Sequence, residues 1–427
     1  MNVILILVIV FVVALMLGVP VAVSLGVSSF VGFLLSGIPV SYLAQTAFDA
    51  VNKFTVIAVP MFVLAGAIME KGGLTQRLVG FARAIIGNVS GGLAMVAVLA
   101  CTLFAAISGS GVATTAAIGS MLIPAMVKEG YRKDFSGAVT ACAGGIGAVI
   151  PPSILMIIYG VSAETSITRL FISGIVPGLM LGLFLIVTVF ILSKKRGYGS
   201  GTGKSSRKEI LKATWEAKWA LLAPIIILGG IYSGVVTVTE ASVIAVLYSL
   251  IIAIFVYRDY SWKMFKTNVI DAARTSGTVL VVMATGIMFG RLLSIYQVPQ
   301  ITSEFLISHV HNPVILVLMI DFLLIFIGMW MESATQIIIL TPLLLPVVTA
   351  LGIDPVQFGI MFVIACEIGF ETPPLGINLF VASEISHSSI ESISKEALPF
   401  VAAESLALIL VSLIPQITSV LPHILGM

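Results

Sequence analysis

Two stretches of this 427-residue chain break long apolar sequence with glycine, proline and hydroxyl side chains. The first pairs Ser108-Gly109-Ser110-Gly111, followed by Thr114 and Thr115, with Gly144-Gly145-Ile146-Gly147 ahead of Pro151-Pro152-Ser153. The second pairs Gly328 to Thr335, containing Glu332 and Ser333, with Gly369-Phe370-Glu371-Thr372-Pro373-Pro374-Leu375-Gly376-Ile377-Asn378. Proline removes a helix donor and clashes with the preceding turn, while glycine permits an unwound backbone. The chemistry this implies is coordination. Freed carbonyls and hydroxyls suit a small hard cation such as sodium, and half-helix N-termini favour an anionic group. One such motif is more often a kink or a close-packing site. Two at matching positions, joined by hydroxyl and Asn side chains, point to a binding site.

Acids inside apolar sequence are functional candidates by default, and Glu332, Glu367, Glu371 and Asp321 qualify. The alternative is structural pairing with Arg274 or Arg291, or an interfacial position. Glu371, beside the double proline, is the foremost of the four. Cys101, Cys142 and Cys366 all fall in apolar segments and read as small buried hydrophobes. His309 and His311 have no third metal ligand nearby in sequence. Ser108 or Ser110 as a hydrolase nucleophile would need a base within reach, and no histidine falls in mid-segment, so the chain does not read as an enzyme.

The elements that must position these residues are membrane helices. Apolar residues make up 59% of the chain and charged residues 10%, against about 25% charged in soluble domains. Charge-free runs such as 90–127, 135–163 and 170–193 exceed the roughly 20 residues that span a bilayer as a helix, and no alternating strand pattern occurs. The class expected is all-α and polytopic, with about ten or more spanning or half-spanning segments. The net charge of +2 and the scatter of Lys and Arg over short loops exclude a nucleic-acid surface. No Lys or Arg precedes Lys53, so the first helix is expected to stay as an anchor. Residues 194–218 form a basic linker, cytoplasmic by the positive-inside rule. Its GYGSGTGKSS stretch lacks the glycine spacing and preceding strand of a phosphate loop. Residues 219–233 and 240–257 then read as an out-and-back helical pair with Trp215, Trp219 and Trp262 at the ends, and 73–86 as an interfacial amphipathic helix.

The two broken stretches belong to a repeat. At a constant offset of 222, Pro124 pairs with Pro346, Gly130 with Gly352, Gly137 with Gly359, Gly147 with Gly369, Pro151 with Pro373, Pro152 with Pro374 and Pro177 with Pro399. The loop after Pro124 carries Lys128, Arg132 and Lys133, whereas the loop after Pro346 carries no Lys or Arg. Opposite facing is the expectation, hence inverted-topology repeats and alternating access rather than an open channel.

The combination of SGSGVATTAAIG, GGIGAVIPPS and ETPPLGINLF resembles the large membrane subunit of the tripartite ATP-independent periplasmic (TRAP) transporters, from Val59-Pro60-Met61-Phe62 to the last helix. The resemblance implies an elevator-type transporter of the bacterial inner membrane with two re-entrant hairpins and two broken helices. It would be driven by sodium, without an organic cofactor, and import an organic acid, sialic acid or a C4-dicarboxylate, with the sialic acid members the nearest. Its partners would be a small Q-type membrane subunit, expected as a separate polypeptide, and a periplasmic binding protein. The division it implies is N-terminal scaffold helices 1–55, repeat 1 over 56–193 with its break at 144–153, the linker 194–218, central scaffold helices 219–274, and repeat 2 over 275–427 with its break at 369–378. Carried over residue by residue, one sodium site falls on Ser108, Ser110, Gly145, Gly147 and Ile150, and the second on Gly328, Gly369, Thr372 and Leu375. The substrate carboxylate falls near Thr114, Ser153, Glu332 and Asn378. The alternative is a stand-alone sodium/dicarboxylate symporter that needs no binding protein.

Overall fold

A computed structural model describes residues 3–87, 89–199 and 206–426, and these are helical with short connections. The first five helices are α1 (Val3–Met16), α2 (Val21–Leu35), α3 (Val40–Val51), α4 (Ala58–Lys71) and α5 (Leu74–Ile86). The first half continues through α6 (Gly92–Ser108), α7 (Gly111–Lys128), α8 (Lys133–Val149), α9 (Ile154–Ser162) and α10 (Ile167–Arg196). Next come α11 (Arg207–Tyr232), α12 (Val238–Ile251), α13 (Trp262–Ile295) and α14 (Val298–His309). The second half holds α15 (Pro313–Gly328), α16 (Ser333–Ala350), α17 (Pro355–Phe370), α18 (Ile377–Ser386), α19 (Ile390–Leu413) and α20 (Gln416–Ile424).

Eight helices among the described residues are long and apolar enough to cross a membrane, or nine if α8 and α9 count as one span bent by 45°. Several shorter apolar helices, including α6, α15, α17 and α18, accompany them. Large apolar side chains on α1, such as Leu5, Ile9 and Val13, are exposed, as expected of a surface that faces lipid.

Helix starts recur at the offset read from the prolines. The pairs α7/α16 and α8/α17 start 222 residues apart, and α6/α15, α9/α18 and α10/α19 agree to within one residue. The chain breaks where its chemistry requires. Pro151 and Pro152 cannot donate, so α8 ends at Val149 and Ser153 caps a new helix, its Oγ accepting from Met156 N at 3.2 Å. Pro373 and Pro374 likewise stand between α17 and α18, and both Pro-Pro bonds are cis. The two halves interlock: α9 packs against α16, and α18 packs against α7 and α8. Tyr159 on α9 donates to Pro355 O at 2.7 Å and stacks edge-on against Phe358 and Phe362 of α17.

Three readings gain detail from the structure. The basic segment 194–218 is not one irregular linker: α10 runs through Arg196 and α11 begins at Arg207, so Lys194, Lys195, Lys208, Lys212 and Lys218 stand on helices. The N-cap Ser206 and Glu209 form a capping box that starts α11 early. Residues 200–205, including Lys204, lie outside the described residues. Second, α5 is amphipathic as read, but Leu74, Leu78 and Ala82 are buried and the helix packs against α11 and α6. Third, Asp321 accepts from Ser412 Oγ at 2.7 Å, while Arg291 Nε donates to Tyr42 Oη at 2.8 Å. Neither arginine pairs with any of the four apolar-segment acids among the described residues.

Candidate functional site

Each half joins its paired helices through a short tip, and the post-proline break docks on that tip. In the first half α6 and α7 are joined by Gly109 and Ser110 alone. Gly109 adopts φ +64°, and a Cβ there would collide with Pro152 O, so both its backbone and its contact exclude other residues. Ile154 N, just beyond the double proline, donates to Gly109 O at 3.2 Å. In the second half the equivalent bond runs from Leu375 N to Met329 O at 2.9 Å. There a Cβ on Gly369 would lie 2.6 Å from the Gly328 carbonyl carbon, so the break and the tip touch through bare backbone.

Hydroxyls gather at the first tip. Ser108 Oγ and Thr114 Oγ1 are 2.7 Å apart, Thr114 Oγ1 donates to Ser110 O at 2.8 Å, and Ser110 caps α7. Gly147 faces this cluster, since a Cβ there would run into Ser110 O and Thr114 Oγ1. Ser108, Ser110, Thr114 and Gly147 are therefore brought together, and Ile150 follows as the extended C-cap of α8. At the second tip Glu332 caps α16, accepting from Thr335 N at 3.0 Å and Thr335 Oγ1 at 3.2 Å. Thr372 Oγ1 donates to Ile368 O at 2.7 Å within the second break.

Both tips open onto one cavity of about 410 Å³. Gly111, Val112 and Ala113 at the start of α7 line it, as do Ser333 and Ala334 at the start of α16, and Ile154 and Leu155 at the start of α9. Three helix N-termini thus converge on one space, an arrangement that favours an anion. Its charged lining is nevertheless acidic throughout: Glu70 from α4, Asp271 from α13, Glu332 and Glu367, with no Lys, Arg or His. Lys71 Nζ stands 3.9 Å from Asp271 Oδ2 and meets part of that charge; an anion needs the remainder compensated by helix dipoles, hydroxyls and accompanying cations.

The family resemblance places the substrate near four residues, and of these Glu332 lines the cavity. Thr114, Ser153 and Asn378 are fully buried. The Ser153 hydroxyl is already used, accepting from Met156 N as the cap of α9 and donating to Ala148 O at 2.5 Å. Glu70 and Asp271 were missed because each lies on a helix outside the broken stretches. Glu404 was missed too. It is an acid in the apolar run of α19, legible by the same rule that singled out Glu371. Glu404 lies with Glu371 and Cys142, their ligand atoms within 4.8 Å of one another.

Outside the membrane-spanning segments, Arg132 is held above its ordinary pKa chiefly by its hydrogen bond to Asp134. Arg132 and Arg196 flank Glu396, with Nη1 atoms at 3.6 and 2.6 Å, and Ser392 Oγ donates to Asp134 at 2.8 Å. This network ties the end of α10 and the α7–α8 loop to α19.

Residues 8–417 match the DctM component of the tripartite ATP-independent periplasmic transporters. The chain belongs to that family. It is a multi-pass transporter of the bacterial inner membrane and not an enzyme. Its relatives include the isethionate TRAP transporter permease protein DctMQ of Oleidesulfovibrio alaskensis, 45% identical over 95% of this chain and 64% of the relative. The C4-dicarboxylate TRAP transporter large permease protein DctM of Vibrio cholerae is 39% identical, covering 96% of this chain and 95% of that one. The sialic acid TRAP transporter large permease protein SiaM of the same organism is 36% identical over 90% of each. The crystal structure of the Alcanivorax borkumensis YdaH transporter superposes with a TM-score of 0.65 over 88% of both chains, at 17% identity, a likeness of fold alone.

Proposed function

We propose that this TRAP permease imports a small organic acid together with sodium ions, both bound between the two tips. The observation that carries the reading is the convergence of three helix N-termini on a cavity whose charged lining, among the described residues, consists of carboxylates. Such a space needs cation and anion together, which is the physical content of coupling. Sodium as co-substrate would take Ser108, Ser110, Gly145, Gly147 and Ile150 at one tip, and Gly328, Gly369, Thr372 and Leu375 at the other. The carbonyl of Ser110 against Gly147, and the bare contact of Gly328 with Gly369, offer the oxygen-rich backbone that a hard cation needs. The acid's carboxylate or sulfonate sits by Glu332 and the starts of α7 and α16.

Elevator motion then carries the two inverted repeats, 56–193 and 275–427, with their re-entrant hairpins, against scaffold helices 1–55 and 219–274. A small membrane subunit and a periplasmic binding protein complete the system, as the words TRAP transporter large permease in the relatives' names support. For the substrate, the isethionate and C4-dicarboxylate relatives stand at 45% and 39% identity against 36% for the sialic acid relative, so a small two- to four-carbon acid is favoured. Competition by isethionate, succinate and sialic acid for uptake into liposomes, with and without the binding protein, tests this. A small acid should compete only when the binding protein is present. Uptake by the permease alone would instead establish the stand-alone symporter.

A further inference from the structure

Behind the main cavity lies a small void that shares only Gly145 with the tip sites. It measures about 10 Å³, room for a single small ion or water. Glu367, Glu371 and Glu404 line it with Gly145 and apolar side chains, and its lining includes no Lys, Arg or His. Cys142 stands beside it, its Sγ and one oxygen each of Glu371 and Glu404 within 4.8 Å of one another and all three side chains buried. Glu371 is 1% exposed, and neither of its carboxylate oxygens has a hydrogen-bond partner. One oxygen of Glu367 and one of Glu404 are orphaned in the same way. The space exists because residue 145 is glycine: a Cβ there would fall on Glu371 Oε1.

A carboxyl group withdrawn from water needs donors, a proton or a counter-charge, and neither oxygen of Glu371 has a hydrogen-bond partner among the described residues. We propose that the void is a cation site in its own right, holding a small monovalent metal ion of the sodium class between Glu404 as the carboxylate and Glu371 as a neutral carboxyl group, so that one positive charge faces one negative charge. Oxygen ligands select a hard cation. The void leaves no room for the water shell that Mg²⁺ usually keeps or the six to eight oxygens that Ca²⁺ takes. Glu367 lines both this void and the main cavity, so the ion enters from the side where the solute binds. Neither Glu371 nor Glu404 belongs to the tip sites, and the inference rests on the proposed function only for the identity of the ion.

Equilibrium binding of radioactive sodium to the purified full-length chain with its small subunit, counted per chain, tests the site in wild type, Glu404→Gln and Thr372→Val. Glu404→Gln should bind one Na⁺ fewer than wild type. Glu404→Asp should keep the count and bind roughly tenfold more weakly, because the carboxylate is withdrawn by one methylene; it decides the matter if the Gln variant does not fold. A missing Na⁺ in Glu404→Gln supports this site, and unchanged count and affinity in Thr372→Val would separately overturn the second tip site. Wild-type count and affinity in both Glu404 variants overturns the proposal, whatever Thr372→Val does.

Discussion

Gly145 on α8 and Glu371 beyond α17 are joined so closely that a β-carbon on Gly145 would lie 3.3 Å from Glu371 Cδ and fall on Oε1. The breaks of the two halves therefore meet through a glycine and a buried acid 226 positions apart. Gly145→Ala must push Glu371 aside, and overpacking of this kind costs about 1–3 kcal/mol. Gly229→Ala supplies the control, since a Cβ at that helical position meets nothing within 4 Å. The expected result is a lower melting temperature for Gly145→Ala and an unchanged or higher one for Gly229→Ala. Equal melting temperatures would show that the contact is slack.

Glu332 does two jobs that substitution can separate. It caps α16 through Thr335 and places a charge in the main cavity. Glu332→Ser keeps a capping oxygen and removes the charge, whereas Glu332→Ala loses both, at a cap cost of about 0.5–2 kcal/mol. Uptake should fall in both variants while thermal stability falls only with alanine. Wild-type uptake by the serine variant would reduce Glu332 to a cap.

Thr372→Val removes a hydroxyl at similar volume and with it the bond to Ile368 O. Sodium activation of uptake should shift to roughly tenfold higher concentration, the scale of one lost ligand to a charge. An unchanged activation curve would remove Thr372 from the second sodium site.

Glu396 pairs with both Arg132 and Arg196. The arginine side chains are 61% and 30% exposed, so the pairs are worth only about 1 kcal/mol after solvent screening. Glu396→Gln should lower the melting temperature slightly at low salt, and less at high salt, with uptake per folded molecule unchanged. Lost uptake would make this network part of the moving machinery.

The sequence revealed the features whose cause is local. Pro151, Pro152, Pro373 and Pro374 cannot continue a helix wherever they fall, so both breaks were readable, and with them the 222-residue correspondence. The gathering of Ser108, Ser110 and Thr114 was readable because six residues across one tip stay together in any fold. The partners of Glu371 were not, because Gly145, Cys142 and Glu404 reach it through packing between α8, α17 and α19 that no spacing encodes. Ser153 carries a second, local meaning: a hydroxyl directly after a double proline is also the residue type that caps the next helix, and here it caps. The basic segment does the same, since Lys and Arg favour helices as readily as loops, and the Ser206–Glu209 capping box outweighed the flanking glycines.

The central claim is that an anion and sodium ions occupy the space between the tips together. Its most direct test is accumulation of the preferred organic acid in liposomes that hold the permease and its small subunit, supplied with loaded binding protein, under an inward sodium gradient and with sodium equal on both sides. Accumulation above the external concentration should occur only with the gradient and collapse when the gradient is dissipated. Accumulation of the same size without sodium would contradict it.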